Sequence, residues 1–290
     1  MFNPTTVVID AFEKRLRDAY VNTYTNLEPS YPGIISFVGR MALEIIANSD
    51  APYHDMNHTI AVTLVGQEVL KGKHLREGGV SPQDWLQFTV ALLCHDIGYV
   101  RGVCQHDQDG RFVINAENKT VGLGPGATDA ALAPYHVERG QIFIRERFGD
   151  NPHIDVETVC ANIEYTQFPV PEEYGNEAGP DYPVLLRAAD LIGQLGDPHY
   201  MRKISALFME FQETGVNAKL GYQTSADLRA AYPAFFWNMV GPYIGGALRY
   251  LRMTQNGKQW VANLYAHLFA EEHDLPSLGA ERIEIVRLQS

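Results

Sequence analysis

Apolar residues recur at helical spacing over most of the chain. Residues 7–24, 34–49 and 58–73 each carry apolar side chains at i, i+3 or i+4, and i+7, which is the pattern of a helix that buries one face. We therefore expect three amphipathic helices in these segments, with Gly72 closing the third.

A fourth predicted helix begins after Ser81 and runs into the segment ALLCHDIG at residues 91–98. Pro82 stands at its first position and Asp84 at the capping-box position, and Gly98 follows its end. The remaining predicted helices are at 134–148, 153–166, 183–195, 199–215 and 225–271, the last broken near Pro233, Gly241-Pro242 and Gly257.

Signals for β-strands are scarce, and RFVIN at residues 111–115 is a weak candidate. The sequence therefore predicts an all-α protein, organised as a single domain over residues 1–290. Two irregular stretches, 99–128 and 167–183, interrupt the helical pattern. Loops of this length inside a compact domain usually have a function.

Composition narrows the functional classes. The net charge of −12 disfavours a long nucleic acid as partner, because such binding depends on clustered basic residues. A small anionic substrate remains compatible if a metal supplies positive charge. Three cysteines without a CxxC pair indicate a reducing compartment, the cytoplasm. We expect neither a signal peptide nor a membrane span, since no apolar run of about 18 residues occurs.

Histidine and aspartate residues carry the candidate chemistry. His54 and His58 are four residues apart, so they would share a face if both lay in the first turn of the third helix. His95 and Asp96 end a strongly apolar helix, and Asp190 lies within another apolar helical pattern.

A buried carboxylate needs a partner. For Asp96 and Asp190 that partner could be Arg187 or Arg101, in an ordinary ion pair. It could also be a hydrogen-bonded histidine of the core, or a divalent cation shared with the histidines.

The ordered residues His58, His95-Asp96 and Asp190 form an H…HD…D pattern that resembles the HD superfamily of metal-dependent phosphohydrolases. A narrower resemblance is to the catalytic domain of class I cyclic nucleotide phosphodiesterases. That family has YHNxxH where this chain has YHDMNH at residues 53–58, an FLIN segment where it has FVIN, and a later AAD segment, here at residues 188–190. The likeness covers residues 53–200, flanked by predicted helices in 1–50 and 200–275.

The resemblance implies an HD-domain-like helical bundle with long loops and two divalent metal ions (Mn, Mg, Fe, Zn or Co). It assigns the first metal to His58, His95, Asp96 and Asp190. Asp96 would bridge to a second metal near His136, and His54 would be the general acid. The implied reaction is hydrolysis of a phosphodiester in a small nucleotide, a class that includes cyclic nucleotides, by a metal-bridging hydroxide.

The chain departs from the phosphodiesterase pattern after the HD pair. It continues Ile97-Gly98-Tyr99 where that family has Val-Asp-His, and no glutamine is marked as the purine-binding one. Three alternatives therefore stay open: an HD-type nucleotidase or phosphomonoesterase, an HD-fold di-iron oxygenase, and a non-catalytic HD module. Glu164 could serve the substrate side of the site or be an ordinary solvated glutamate.

Overall fold

The protein is all-α, as predicted. A computed structural model describes residues 2–175 and 179–273; it is 68% helical, with a two-stranded sheet as the small β component. The α-helices are α1 (Pro4–Tyr24), α2 (Tyr31–Ile46), α3 (Met56–Glu77), α4 (Pro82–Cys94), α5 (His136–Phe148), α6 (Val156–Glu164), α7 (Tyr182–Leu195), α8 (Tyr200–Glu213), α9 (Val216–Leu220), α10 (Ser225–Ala230), α11 (Tyr232–Phe235), α12 (Gly241–Leu251) and α13 (Gln255–Glu272).

The start of α4 follows its sequence signals. The Ser81 hydroxyl accepts a hydrogen bond from the Asp84 amide, and the Asp84 carboxylate accepts one from the Ser81 amide, which completes the predicted capping box. At the other end, α4 stops at Cys94 and His95 is its C-cap residue. The HD pair therefore lies where the helix ends, as the sequence indicated.

Gly72 was predicted to close the third helix but lies inside it, whereas the break predicted near Gly257 is present at residues 252–254, just before α13. Gly72 is within α3, and a Cβ there would lie 2.0 Å from the carbonyl oxygen of Tyr250. Gly257 is within α13, and its Cβ would lie 2.1 Å from the carbonyl oxygen of Leu251. Both glycines serve close helix packing rather than termination.

The C-terminal region is more finely divided than predicted. Pro233 and Pro242 lie in the first turns of α11 and α12, where proline is well tolerated. One π-helical turn, Phe236–Val240, joins these two helices, and Thr254 caps α13. Residues 274–275 of the predicted flanking region lie outside the described residues.

The irregular stretch after α4 is organised by a short hairpin. The strands β1 (Arg111–Val113) and β2 (Thr120–Gly122) pair antiparallel, with Phe112 opposite Val121. The sequence indicated the first strand weakly and missed the second. A 3₁₀ segment, Asp129–Tyr135, then leads into α5.

The core is centred on α3, α4 and α7. Helix α3 packs against α7, α12 and α4. Helix α2 packs against α4 and pairs with α1, and α6 packs against α4 and pairs with α5. One continuous apolar cluster runs from Ile9 in α1 to Leu268 in α13. Division of the chain into a motif-bearing core and flanking helices stays a prediction.

Across the two described ranges, no helix combines the length and the apolar character needed to cross a membrane.

Candidate metal centre

Three helices bring four predicted metal ligands together. His58 lies in the first turn of α3, His95 and Asp96 follow α4, and Asp190 lies in α7. Asp96 Oδ2 is 3.2 Å from His58 Nε2 and 3.1 Å from His95 Nε2. Asp190 Oδ1 is 3.3 Å from His58 Nε2 and 3.6 Å from His95 Nε2, and the two Nε2 atoms are 3.4 Å apart.

Two ligand atoms at about 2.1 Å from a tetrahedral cation lie about 3.4 Å apart, and the distances between the imidazole Nε2 atoms and the two carboxylates are close to this value. Atoms of His58, His95 and Asp190 form one group that could hold a metal ion, and atoms of His54, His58 and Asp96 form another. Asp96 Oδ2 is also buried without a hydrogen-bond partner of good geometry among the described residues. A buried carboxylate oxygen without such a bond is costly, and a cation would compensate it.

His95 is oriented for this role by the helix that precedes it. Its Nδ1 lies 2.8 Å from the carbonyl oxygen of Leu92, so Nδ1 donates a hydrogen bond there and Nε2 is the nitrogen that would coordinate a cation in exchange for its proton. The ring is fully buried. The apolar surface of α4 therefore holds the imidazole in one orientation and keeps water away from it.

The titration behaviour of the cluster reflects the close approach of its members. Burial by itself would lower the pKa of His58, but the close contacts of its Nε2 with the Asp190 and Asp96 carboxylates raise it to about 9. Burial opposes ionisation of Asp96 as well, yet the charge of His95 and the close contact with His58 hold its pKa well below the usual range. The cluster therefore needs positive charge among its carboxylates, which a divalent cation could supply in place of protons.

The alternative of an arginine partner for these aspartates is wrong for the part of the chain that the structure describes. Arg101 pairs with Asp129 and with Asp50 Oδ2, the latter at 2.5 Å. Arg187 donates to the carbonyl oxygen of Tyr165. Among the described residues, the basic side chains within ion-pair distance of Asp96 and Asp190 are histidines.

His136 lies on the outer side of the HD pair, at the first position of α5. Its Nδ1 is 2.6 Å from the carbonyl oxygen of Ala133, and its Nε2 is 3.8 Å from Asp96 Oδ1. The two oxygens of Asp96 therefore face different imidazoles. Gly98 permits this approach, because a Cβ there would lie 1.9 Å from the carbonyl oxygen of His136.

His54 lies beside the cluster, but it precedes α3 instead of sharing its first turn with His58. Asp55 is the N-cap of α3, so the chain turns into the helix after His54. Ring atoms of His54 and His58 and a carboxylate oxygen of Asp96 nonetheless lie within 4.8 Å of one another. His54 can therefore act on whatever the cluster binds, or join it as a ligand.

Glu210 is the principal residue that the sequence analysis missed. It lies in α8, almost fully buried, and its Oε2 is 2.5 Å from His54 Nδ1. Its Oε1 accepts hydrogen bonds from the amides of Tyr53 and His54 at 2.7 and 3.0 Å. Burial lowers the pKa of His54, but the Glu210 carboxylate more than offsets this, and the net shift is upward.

Tyr99 is a second missed residue. Its ring stacks on His54 at 4.5 Å between centroids and 15° between planes, and its centroid lies 4.7 Å from that of His136, with 35° between the planes. The tyrosine therefore contacts both imidazoles. The available signal was the departure from the phosphodiesterase pattern, which placed an aromatic residue three positions after Asp96.

Glu164 is not a free solvated glutamate. Its carboxylate accepts hydrogen bonds from Gln141 Nε2 at 2.5 Å and from the Tyr174 hydroxyl at 3.0 Å. This contact joins α6 to the irregular segment that precedes α7.

Burial differs among the members of the cluster and its neighbours. His58, His95 and Asp96 are almost fully buried, whereas the side chains of His54, His136 and Asp190 keep exposures of 16%, 15% and 20%. These last three residues are therefore the ones that solvent contacts.

The fold and the site together define an all-α protein with a buried His/Asp cluster that could hold a metal ion. The chain belongs to the Npun_R2479-like family, whose family model matches residues 2–274. No curated protein and no solved structure gives a significant match. The family description names no reaction, so the activity is argued from the site.

Proposed function

We propose that the protein is a metal-dependent phosphohydrolase that cleaves a phosphodiester bond in a small nucleotide. The observation that carries the proposal is the cluster of His58, His95, Asp96 and Asp190, in which the Nε2 atom of each histidine lies 3.1–3.6 Å from a carboxylate oxygen of both aspartates. The H…HD…D order of these residues resembles the HD phosphohydrolases and supports the same reaction class.

The four residues would hold a first divalent cation. Asp96 would also be a ligand of a second cation, through the carboxylate oxygen that faces His136. Divalent cations supply a Lewis acid at the phosphate and lower the pKa of water to a usable range. The protein contributes buried ligands, His58, His95 and Asp96, and the partly exposed Asp190. The positive charge of the cations also makes an anionic substrate compatible with a chain of net charge −12.

His54 is suited to protonate the leaving oxygen. The Glu210 carboxylate holds its Nδ1 and favours the imidazolium, which leaves Nε2 to donate a proton towards the substrate. The stacked ring of Tyr99 restrains the imidazole plane. General-acid assistance of this kind contributes about 10²–10⁴-fold to the rate.

The setting we propose is the cytoplasm, with a small phosphorylated molecule as the partner. Cys94, Cys104 and Cys160 are buried free thiols, which suits a reducing compartment. Burial raises the pKa of the Cys94 thiol to about 12, so this residue acts as a small apolar side chain next to the HD pair and not as a nucleophile.

The test is metal analysis of the purified protein followed by assays with three substrates: bis(p-nitrophenyl) phosphate, p-nitrophenyl phosphate and a 3′,5′-cyclic nucleotide. We expect metal-dependent hydrolysis of the two diesters and its loss in Asp96→Ala. Full activity in Asp96→Ala would refute the mechanism. Hydrolysis of the monoester alone would favour a nucleotidase, whereas oxygen uptake by iron-loaded protein would favour the oxygenase.

A further inference from the structure

Helix α7 carries a buried arginine one turn before Asp190. Arg187 is 2% exposed, and its Nε donates a hydrogen bond of 2.9 Å to the carbonyl oxygen of Tyr165. Its Nη1 and Nη2 atoms have no hydrogen-bond partner among the described residues, and no carboxylate of those residues lies within ion-pair distance. Most of its donors are therefore left without an acceptor.

Three tyrosine rings surround the guanidinium. Their centroids lie 4.8 Å (Tyr165), 5.7 Å (Tyr174) and 5.2 Å (Tyr243) from Arg187 Cζ. Contacts of this kind compensate part of the charge. They do so through the ring faces, however, and they provide no oxygen for the N–H groups that point outwards in the guanidinium plane.

An arginine kept for packing alone would be an unfavourable choice at this position. An unpaired buried charge is strongly destabilising, and an apolar side chain of similar volume is usually tolerated as well or better. The guanidinium stays protonated and presents its donors as a planar fork that matches two oxygens of a phosphate or carboxylate. Among the residues that the structure describes, none supplies this fork with an oxyanion.

We infer that Arg187, Tyr165, Tyr174 and Tyr243 form a binding site for a phosphate group, supplied by inorganic phosphate or by a phosphorylated ligand. The choice of phosphate over carboxylate rests on the proposed function, whereas the need for an anion does not. The three rings are half-buried, so the site lies just below the surface. Tyr174 lies in a single 3₁₀ turn, stacks on Tyr165 and donates a hydrogen bond to Glu164.

The site is separate from the metal cluster. The Cα atoms of Arg187 and Asp190 are about 5 Å apart along α7, but their side chains have different partners. Asp190 faces His58 and His95, whereas Arg187 faces the end of α6 and the ring of Tyr243. Phosphate bound at Arg187 would accordingly not depend on the metal ligands.

The test is thermal unfolding of the full chain while inorganic phosphate replaces chloride at constant ionic strength. We expect saturating phosphate to raise Tm by roughly 2–4 °C or more, as for a ligand present well above its Kd. In Arg187→Met the phosphate shift should vanish, and without phosphate this variant should be at least as stable as the wild type. Arg145→Met is the control, since Arg145 is exposed and paired with Glu157; its phosphate shift should equal that of the wild type.

Two further variants keep the inference testable if Arg187→Met does not fold. Arg187→Lys keeps the charge but loses the fork, and we expect phosphate affinity to fall at least tenfold. Asp96→Asn disables the metal cluster and should retain the phosphate shift. If the wild type shows the phosphate shift but hydrolyses none of the substrates, the proposed function is rejected and the inferred phosphate site is upheld.

Several results would overturn the inference. One is an equal phosphate shift in Arg187→Met or Arg187→Lys and the wild type; another is no shift in any of them. A shift that Asp96→Asn abolishes and the Arg187 variants keep would assign the anion to the metal cluster. An equal, Arg187-dependent shift with acetate would reject phosphate as the ligand.

Discussion

The contact between His54 and Glu210 leads to the most discriminating prediction about catalysis. Glu210→Gln keeps the shape of the side chain, and its amide oxygen can still accept from the Tyr53 and His54 amides. Its NH₂ group would then face His54 Nδ1, which could only accept a hydrogen bond there. The substitution therefore disfavours the imidazolium without removing the residue.

The expected loss follows from the kind of hydrogen bond that is removed. A hydrogen bond to a charged group contributes about 1.5–3 kcal/mol, and each 1.36 kcal/mol changes a rate about tenfold. We therefore expect kcat to fall about tenfold to a hundredfold if the imidazolium protonates the leaving group. The folded state should lose about 1–3 kcal/mol, because Glu210 is buried and accepts three hydrogen bonds.

The assay should compare two leaving groups. A p-nitrophenolate needs little protonation, so Glu210→Gln should hydrolyse bis(p-nitrophenyl) phosphate nearly as fast as the wild type. A ribose alkoxide in a cyclic nucleotide needs a proton, and there the full loss should appear. Because Glu210 raises the pKa of His54, the alkaline fall in rate should also move to lower pH in the variant.

Glu213→Gln is the matched control, since Glu213 lies on the same helix and accepts hydrogen bonds from Thr128 away from the cluster. It should leave the rates with both substrates unchanged. An equal loss on both substrates in Glu210→Gln would refute the general-acid argument. It would show instead that Glu210 acts through the structure of the cluster or that His54 is a metal ligand.

Three further substitutions test how the site is supported. Arg139→Leu should cost about 3–5 kcal/mol in chemical denaturation, because it leaves the buried carboxylate of Asp107 without its partner. Gly98→Ala should destabilise the fold by about 1–3 kcal/mol and weaken metal binding measured by titration, because the new Cβ collides with the carbonyl of His136. Tyr99→Leu should lower kcat, whereas Tyr99→Phe should keep it, because the stacked ring and not the hydroxyl positions the imidazoles.

Each of these has an outcome that would contradict it. A stability loss below about 1 kcal/mol for Arg139→Leu would mean that the ion pair is not needed to hold the loop after α4. Gly124→Ala is the control for Gly98→Ala, since a Cβ at Gly124 meets nothing within 4 Å; equal metal affinities in the two variants would reject the packing argument. Equal rates for the two Tyr99 variants would reject the positioning role.

Residue spacing was enough to predict the all-α class and most helices, because the buried faces repeat with the period of the helix. Residue spacing misplaced a helix end where a glycine serves packing between helices and does not terminate one. Gly72 stands in a helix whose neighbour, at Tyr250, is almost 180 residues further along the chain. Such contacts depend on tertiary structure and have no local signal.

The cluster was predictable because its residues occur in unusual surroundings. His95-Asp96 and Asp190 are polar groups in strongly apolar helices, and their grouping could be inferred from that conflict. Glu210 had no such signal, since it lies in an amphipathic helix among other polar residues. Its contact with His54 spans more than 150 positions and follows from the packing of α8 beside the start of α3.

The central claim is that His58, His95, Asp96 and Asp190 bind a divalent cation. The most direct measurement is the metal content of the purified full chain, by mass spectrometry, for the wild type, Asp96→Asn and Asp18→Asn. Asp18 is a surface carboxylate paired with Lys14, so its variant is the control. We predict at least one divalent ion per chain in the wild type and the control, and almost none in folded Asp96→Asn. Equal metal content in all three, or no metal in the wild type after incubation with Mn²⁺, Zn²⁺ or Fe²⁺, would contradict the account.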